Sequence, residues 1–316
     1  MVDSTDLKIL FELNWDARQS DSEIGKKLKT SKQVVAYRIK KLEKEGVIKN
    51  YFALIDWRRL GYEAVRIYLK WKNMDPLKEQ QIYSEIKNDP FFMWTVKFEG
   101  EFDIGFYIWI KDVLSFSKRW FRFIETYRHN IMKYEIYHSV NMTHYPMKPL
   151  IEKYPIDEKT IGEENRVDYD EFDVKILRMI SENSRISIVD IANKLKVTSK
   201  TIIYRIKSLE KKRIILGYNA LIDTEKLGYQ FYKIDFYLTS LEKLQEMTSF
   251  AKIHKDIVYL MRTVGGPDYE IEVMVKSPVE LHKVIEEIRK KFYLEIEHYR
   301  FHRFEYTIKQ VYMPGE

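Results

Sequence analysis

Two segments of the sequence place cationic and hydrogen-bonding side chains along one face of a predicted helix. In residues 31–44, five cationic residues stand against the single acid Glu43, although the whole chain carries a net charge of only +6. Winding this segment at 100° per residue turns its apolar side chains to one side and its polar side chains to the other. An α-helix fits the major groove of B-DNA, where lysine and glutamine can contact base edges and cations can neutralise phosphates. This spacing therefore favours nucleic-acid binding.

The candidate DNA contacts are the outward residues of these two helices, their other cationic residues, and the residues at their N-termini, where exposed backbone amides favour a phosphate oxygen. In the first helix the candidates are Ser31, Lys32, Gln33, Tyr37, Arg38, Lys40, Lys41 and Lys44. In the second helix they are Thr198, Ser199, Lys200, Tyr204, Arg205, Lys207, Ser208 and Lys211. The alternative for a single helix of this kind is a solvated, lysine-rich surface. The two tyrosines could instead be partly buried packing residues.

An internal repeat puts the two helices in equivalent positions. Shifting the chain against itself by 167 residues aligns residues 6–62 with residues 173–229 without a gap, and 26 of these 57 positions are identical. The shared stretches are DxKIL, YRIK, ALID and LGY. Beyond residue 62 the match resumes with a shift of 165, where Gly100-x-x-Asp103 aligns with Gly265-x-x-Asp268. A period this long indicates a duplicated pair of domains, since solenoid repeats are much shorter.

Each copy opens with three predicted helices. An apolar stripe predicts a first helix that ends near Asn14. A capping box at Ser20-x-x-Glu23, with Ser187-x-x-Asp190 as its counterpart, starts the second helix. The third helix is predicted from about Ser31 to Glu45. Three short helices joined by tight turns form a helix-turn-helix unit.

The two copies differ at the end of the third helix. Gly46 suits a left-handed cap in the first copy, whereas Arg213 stands at this place in the second. A non-glycine residue in the left-handed conformation costs about 1 kcal/mol. We therefore expect the second copy either to end this helix differently or to accept that strain.

A strand and a β-α-β-β-α-β series follow the helices in each copy. In the first copy the series comprises strands at Glu63–Lys72, Phe92–Glu99, Asp103–Ile110 and Ile131–His138, with helices at about Leu77–Asn88 and Val113–Arg128. This order is that of a ferredoxin-like sandwich. The predicted fold class is α+β, with two copies of a helix-turn-helix domain followed by a ferredoxin-like βαββαβ domain.

Five segments follow from this order. Helix-turn-helix domains are predicted at 1–56 and 171–223, and ferredoxin-like domains at 57–145 and 224–316. Residues 146–170 contain three prolines and a charged run with little periodicity, which indicates a connecting linker.

As a set, these motifs resemble the Lrp/AsnC (feast/famine) family of transcriptional regulators. The resemblance rests on DxKIL, on Ala17-Arg18 before the second helix, on SKQVVAYRIKKLEKEG at 31–46, on ALID and LGY, and on the Gly-x-x-Asp turn. It implies a winged helix-turn-helix followed by a ligand-responsive RAM domain, in a sequence-specific regulator that binds double-stranded DNA. Family members usually dimerise through the second domain, so two copies in one chain resemble a covalent pseudo-dimer of the tandem archaeal type. A palindromic or imperfectly palindromic operator and a homo-oligomer built on this pseudo-dimer would follow.

The family places its amino-acid effector near the Gly-x-x-Asp turn. The resemblance therefore implies effector-binding roles for Gly100 and Asp103 in the first copy and for Gly265 and Asp268 in the second. A tight turn also needs glycine and aspartate for purely conformational reasons, which is the favoured explanation at either turn. Glu101 and the Gly266-Pro267 pair differ between the copies, so two effector sites would not be equivalent.

Several classes of site are excluded or disfavoured. The chain has no cysteine, which excludes disulfides, thiolate zinc sites, iron–sulfur clusters and a cysteine nucleophile. It has no Gly-rich nucleotide-binding motif and no H-E-x-x-H, and on the predicted strand His298 and His302 lie ~13 Å apart, too far to share a metal ion. We expect these two histidines at the surface or at an interface, and we expect no metal and no cofactor.

Localisation is inferred from hydropathy. No apolar stretch approaches the ~20 residues that a membrane helix needs, and Met1 opens into a polar segment. We therefore expect a cytoplasmic protein without a membrane partner.

Two other classes of function stay open. Siroheme decarboxylases look like this family in fold and also occur as fused pairs, with histidines that act on a tetrapyrrole; the histidines available for that role are His129, His138, His254 and His282. The positive charge of the third helix favours DNA binding over this enzyme. A ligand-sensing module that regulates partner proteins is the third interpretation, and it predicts no affinity for duplex DNA.

Overall fold

The computed structural model describes residues 2–163 and 165–314. Met1, Glu164 and residues 315–316, which fall within the first, third and fifth predicted segments, lie outside the described residues. Within the described ranges, no helix is both long enough and apolar enough to cross a membrane.

The first copy contains the predicted elements in the predicted order. Its helices and strands are α1 (Ser4–Trp15), α2 (Asp21–Leu28), α3 (Lys32–Lys44), β1 (Ile48–Ile55), β2 (Glu63–Trp71), α4 (Pro76–Asn88), β3 (Trp94–Glu99), β4 (Ile104–Ile110), α5 (Val113–Tyr127) and β5 (Ile131–His144). The capping box that was predicted at the start of α2 is present, because Ser20 and Glu23 each accept a hydrogen bond from the other's backbone amide.

A short strand, β6 (Lys159–Ile161), precedes the second copy. The second copy then repeats the order of the first with α6 (Glu171–Glu182), α7 (Ile188–Leu195), α8 (Ser199–Lys211), β7 (Ile215–Ile222), β8 (Gln230–Leu238), α9 (Leu244–Ile253), β9 (Ile257–Val264), β10 (Tyr269–Val275), α10 (Pro278–Phe292) and β11 (Ile296–Gln310). The α+β class is confirmed, with two helix-turn-helix units and two ferredoxin-like units.

The two ferredoxin-like sheets join into one closed ring of strands. Their strand orders are β5-β2-β4-β3 and β11-β8-β10-β9. At one junction β3 pairs with β11, and at the other β9 pairs with β5. One face of each sheet packs against its own pair of helices, which leaves the other face to line the interior of the ring.

The strands β1 and β7 fasten the two helix-turn-helix units to each other. They pair antiparallel, with Tyr51 opposite Ala220 and Ala53 opposite Tyr218. Because Ala220 is the repeat equivalent of Ala53, and Tyr218 that of Tyr51, the pairing has local two-fold symmetry. Residues from both units form a single hydrophobic core.

Both copies end the third helix in the same left-handed conformation. Gly46 has φ +66° and Arg213 has φ +55°. The second copy therefore ends this helix with a non-glycine residue in the left-handed conformation, which is the strained alternative of the two expected from the sequence.

The predicted linker is packed against the rest of the protein. Its strand β6 pairs with β5. The buried Lys148 ammonium donates hydrogen bonds to the carbonyl oxygens of Ala251 and Lys252, near the end of α9, at 3.1 and 3.0 Å. Burial lowers the pKa of Lys148 to about 7. The connection is therefore held against both copies.

Two strand boundaries differ from the prediction for physical reasons. Strand β5 continues six residues past His138 because this part of it pairs with β9 of the other copy and with β6. Strand β3 begins at Trp94, since the amides of Phe91 and Phe92 donate hydrogen bonds back to Asp89 in a turn that follows α4.

Candidate DNA-binding surface

The N-terminal residue of each candidate recognition helix is a hydroxyl cap. The Ser31 side chain accepts a hydrogen bond from the Val34 amide, and the Thr198 side chain accepts one from the Thr201 amide, both at 3.2 Å. Each cap therefore lies at the positive end of its helix, beside the amides that favour an anion.

One face of each helix is buried and the opposite face is exposed. In α3 the buried residues are Val35, Ile39 and Leu42, and in α8 they are Ile202, Ile206 and Leu209. Tyr37 and Tyr204 are 70% and 71% exposed. The alternative that these tyrosines are packing residues is therefore wrong.

The exposed face carries lysines in both copies. The exposed cations are Lys32, Lys40 and Lys44 on α3 and Lys200, Lys207 and Lys211 on α8. Gln33 is exposed beside them, and Ser199 is half-buried. The helix in the second copy has four cationic residues against Glu210 over residues 198–211, so its positive charge is slightly smaller than that of the first.

The two arginines that the sequence assigned to this surface have carboxylate partners within their own units. The Arg38 Nη1 atom lies 2.7 Å from both Asp3 Oδ2 and Asp6 Oδ1. In the second copy Arg205 Nη1 lies 2.6 Å from Asp170 and 3.3 Å from Asp173. The hydrogen bonds to Asp3 and Asp6 raise the pKa of Arg38. These guanidinium groups hold the first helix of each unit against the third, a role that sequence reasoning missed.

Lys41 and Ser208 lie at the margin of the lysine face. The Lys41 ammonium is 3.8 Å from the buried carboxylate of Asp6, and Ser208 is half-buried. Lys40 and Lys44, which are exposed and flank Lys41 in the helix, are therefore better placed to contact phosphate.

Contacts between the copies hold the two helices in matched positions. The Ala17 amide donates to the Tyr218 carbonyl at 2.8 Å, and the Ser184 amide donates to the Tyr51 carbonyl at 3.0 Å. The phenol groups of these tyrosines donate in turn to Glu210 and Glu43, each at 2.6 Å, which ties each strand to its own third helix.

Arginine–tyrosine contacts complete this framework. Arg18 lies over the Tyr218 ring at 5.1 Å, and Arg185 lies over the Tyr51 ring at 5.3 Å. These residues are identical between the aligned copies, as are Glu43 and Glu210. The identity between the copies was the signal that could have revealed this framework.

The Gly-x-x-Asp turns have a conformational role. Gly100 has φ +145° and Gly265 has φ +82°, which few other residues adopt. The Asp103 carboxylate accepts a hydrogen bond from the Trp71 amide at 2.7 Å, and the Asp268 carboxylate accepts one from the Leu238 amide at 2.8 Å. Both carboxylates therefore fix the end of a neighbouring strand, while their effector role stays a prediction.

The histidines named for the enzyme do not come together. His138 Nε2 is 2.7 Å from Glu63, and His254 Nε2 is 3.1 Å from Glu287. His129 is exposed between α5 and β5, and His282 is exposed on α10. Across residues 2–163 and 165–314, no cluster of three or more histidine, aspartate or glutamate side chains has a geometry that could hold a metal ion.

The other pair of histidines is divided between surface and interior. His298 is exposed and stacks on Tyr237, with ring centroids 4.3 Å apart. His302 is buried against Phe98 and Phe102 of the other copy. The expectation of a surface or interface position thus holds for both.

The chain is similar in sequence to helix-turn-helix regulators. A family of winged helix-turn-helix DNA-binding domains matches residues 2–49 and 169–215. HTH-type transcriptional regulator Ptr1 of Methanocaldococcus jannaschii is 35% identical over 121 residues, which are 37% of this chain and 78% of that protein. HTH-type transcriptional regulator LrpA of Pyrococcus horikoshii is 34% identical over 112 residues, 35% of this chain and 78% of that protein. Each relative therefore aligns with a length that corresponds to one copy.

A solved structure resembles the whole chain in fold. The siroheme decarboxylase NirDL has a TM-score of 0.65 and 14% identity, with 99% of this chain and 94% of that chain covered. At this identity the likeness shows the shared tandem fold alone. The winged helix-turn-helix family matches in both halves, and the identity to the regulators named above shows that the chain belongs to the Lrp/AsnC family of transcriptional regulators.

Proposed function

We propose that this regulator binds double-stranded DNA by inserting α3 and α8 into the major groove as a linked pair. The observation that carries the proposal is the exposure of three lysines and one tyrosine on each of the two helices, whose units share one core. A single lysine-rich helix is commonly a solvated surface. Two such helices related by a local two-fold axis, however, match the two-fold arrangement of half-sites in a DNA operator.

The exposed residues divide into two groups by position along the helix. Lys40, Lys44 and their equivalents Lys207 and Lys211 lie toward the C-terminal ends, where they would neutralise phosphates. Residues of the first turns, Gln33 and Lys200 among them, would contact base edges, since the N-terminal part of a recognition helix enters the groove most deeply.

Salt dependence tests the phosphate contacts. The double variant K40Q/K44Q should bind all sequences more weakly and flatten the slope of log K against log salt by up to about 2 units, because each neutralised phosphate releases counterions. Fluorescence anisotropy with duplexes from the upstream region of the protein's own gene measures both quantities.

The control variant for this test is K243Q. Lys243 pairs with Glu246 on the surface of the second ferredoxin-like unit, so its removal should leave the slope unchanged. If the unmodified protein gave no anisotropy change with any duplex in dilute buffer, the proposed function would be refuted.

Mixing the protein with siroheme separates the regulator from the enzyme. We propose that the chain is not an enzyme, because its lysine faces are exposed and the four named histidines are distributed over separate elements. We expect no shift of the Soret band and no decarboxylation. A shifted band with turnover would favour the decarboxylase instead.

The family resemblance also supports an effector and self-association as parts of this proposal. An amino acid would bind beside the Gly100-x-x-Asp103 turn of the first copy, where Lys133 and Arg300 both contact Glu101. Titration of amino acids into the protein–DNA complex would reveal the effector as a change in anisotropy, and light scattering of the purified protein would count the chains in the oligomer.

A further inference from the structure

The two recognition helices have diverged in their N-terminal halves and have kept their C-terminal halves. From Tyr37 to Lys44, seven of eight positions are identical to those from Tyr204 to Lys211. From Lys32 to Ala36, all five positions differ from their equivalents. The replacement within the buried face is conservative, since Val35 of the first copy corresponds to Ile202 of the second. The other differences are Lys32 to Ser199, Gln33 to Lys200, Val34 to Thr201 and Ala36 to Ile203.

These four differences lie where the helices are accessible. Gln33 and Lys200 are both exposed, and Val34 and Ile203 are exposed to 39% and 43%. Ala36 and Thr201 are half-buried. The Thr201 hydroxyl shares a hydrogen bond of 2.9 Å with the cap Thr198, so it is partly engaged within its own helix.

Resting on the proposed function, we infer that the chain recognises an operator with two different half-sites and therefore binds DNA in one orientation. Glutamine pairs with the N6 and N7 atoms of adenine, whereas lysine pairs with the O6 and N7 atoms of guanine. The Ile203 side chain is larger than Ala36, so the two residues would contact a thymine methyl group from different distances.

The framework around the helices makes this a difference in base preference alone. The tyrosine–glutamate, arginine–tyrosine and backbone contacts between the copies occur as matched pairs. Lys40, Lys44, Lys207 and Lys211 supply the same phosphate contacts on both sides. The two helices therefore meet DNA in equivalent ways but present different side chains to the bases.

Exchange of the divergent residues tests this inference. The variant K32S/Q33K/V34T/A36I gives α3 the surface of α8, and the variant S199K/K200Q/T201V/I203A gives α8 the surface of α3. Both exchanges preserve net charge and leave the buried Val35 and Ile202 unchanged. The experiment is selection from a library of randomised duplexes, followed by sequencing of the bound fraction.

We expect the unmodified chain to select an inverted pair of unlike half-sites. Each variant should select a palindrome, built from one half-site or from the other. On fixed duplexes, the unmodified chain should bind either palindrome at least about 10-fold more weakly than the mixed operator, since each mismatched base pair costs about 1–3 kcal/mol. Unchanged thermal unfolding and salt slopes would show that the variants fold and still contact phosphate.

Three outcomes would count against the inference, and they can be told apart. A palindrome selected by the unmodified chain, or the same motif selected by all three proteins, would overturn it while leaving DNA binding intact. Failure of every protein to enrich any duplex would defeat the proposed function itself. K40Q/K44Q is the control, because it should lower affinity but select the motif of the unmodified chain.

Discussion

The two copies make equivalent contacts where their helix-turn-helix units join, but they differ in the residues that line the interior of the strand ring. Around β1 and β7, equivalent residues make equivalent contacts. Inside the ring, three tyrosines of the first copy align with charged or titratable residues of the second. Tyr68 corresponds to Asp235, Tyr107 to Glu272 and Tyr137 to His302. The joint between the two helix-turn-helix units has thus kept its symmetry, whereas the interior of the ring has become complementary.

This complementarity makes the two copies dependent on each other. Arg66 of the first copy pairs with the buried Glu270 of the second. Lys233 pairs with Asp235 and lies 3.3 Å from Glu270. Arg300 contacts Asp235 and also Glu135 of the first copy, at 3.1 and 2.7 Å. In a second copy paired with itself Lys233 would stand in place of Arg66, and six carboxylates, at positions 235, 270 and 272, would face four cations, at positions 233 and 300. The ring therefore favours a mixed pair.

Removal of Arg66 should produce the largest loss of stability. In R66M, Glu270 would keep only Lys233, which Asp235 also requires, and breaking a buried ion pair costs about 3–5 kcal/mol. Chemical denaturation followed by tryptophan fluorescence measures the loss. Both Arg66 and Glu270 are almost fully buried, with side-chain exposures of 2% and 1%.

The double variant R66M/E270M distinguishes pairing from packing. It should recover part of the lost stability, since it removes the carboxylate that R66M leaves without its partner. K243A, which removes an exposed pair with Glu246, should leave stability close to that of the unmodified chain, because exposed ion pairs contribute little. An R66M protein as stable as the unmodified chain would show that the ring does not depend on this pair.

Glu272 should make the interior sensitive to pH. Burial, with Glu270 close by, raises its pKa from 4.5 to about 7, although Arg66 acts in the opposite direction. Between these two values the folded state binds a proton more strongly than the unfolded state, so stability falls as pH rises. The variant E272Q should therefore gain stability over the unmodified chain across this window, by about 2–3 kcal/mol at its upper end.

The comparison of E272Q with the unmodified chain at each pH isolates Glu272. Burial and the nearby Lys233 lower the pKa of His302 from 6.5 to about 4, so His302 contributes stability that rises with pH over that range. Because this contribution is common to both proteins, it cancels in their difference. A difference that does not change with pH would contradict the assignment to Glu272.

Local signals made the helices and their caps predictable from sequence. The capping box at Ser20-x-x-Glu23 and the left-handed residue at Gly46 depend only on neighbouring residues, and both occur as expected. The pairings β3–β11 and β9–β5 join residues far apart in sequence, and β-strand propensity carries no information about the partner. Closure of the ring was therefore beyond sequence reasoning.

The same limit explains the candidate site. Hydrophobic periodicity correctly placed Tyr37, Lys40 and Lys44 on the exposed face of α3. The count of cationic residues along α3 placed Arg38 among the DNA contacts as well, because the composition of a single helix does not show what packs beside it. The carboxylates that bind Arg38 belong to the start of α1, 32 and 35 residues away in the chain.

Substitution of Arg38 or Arg205 by alanine tests whether these residues hold the first helix of each unit against the third. The expected loss of stability is smaller than that for R66M. R38A and R205A should each lower stability by about 1.5–3 kcal/mol, because hydrogen bonds to a charged group are lost and a buried carboxylate keeps fewer partners. R38A should have the larger effect, since both of its contacts are 2.7 Å, whereas Arg205 is 3.3 Å from Asp173. The slope of log K against log salt for DNA binding should stay unchanged. A flatter slope in a variant that is as stable as the unmodified chain would show that these arginines contact DNA.

The smallest expected effect concerns the caps of α3 and α8, where the two copies share a conformation but not a residue. G46A forces a side chain into φ +66° and should cost about 1 kcal/mol, with the Lys226 ammonium near the new methyl group adding a small adjustment. R213G relieves the same strain and should stabilise the protein by up to about 1 kcal/mol, less whatever the arginine side chain contributes through its own contacts. Thermal unfolding of both variants measures the pair. Opposite signs would establish that the second copy tolerates a strained cap, whereas a loss of stability in R213G would show that the contacts of Arg213 outweigh the strain and explain its place there.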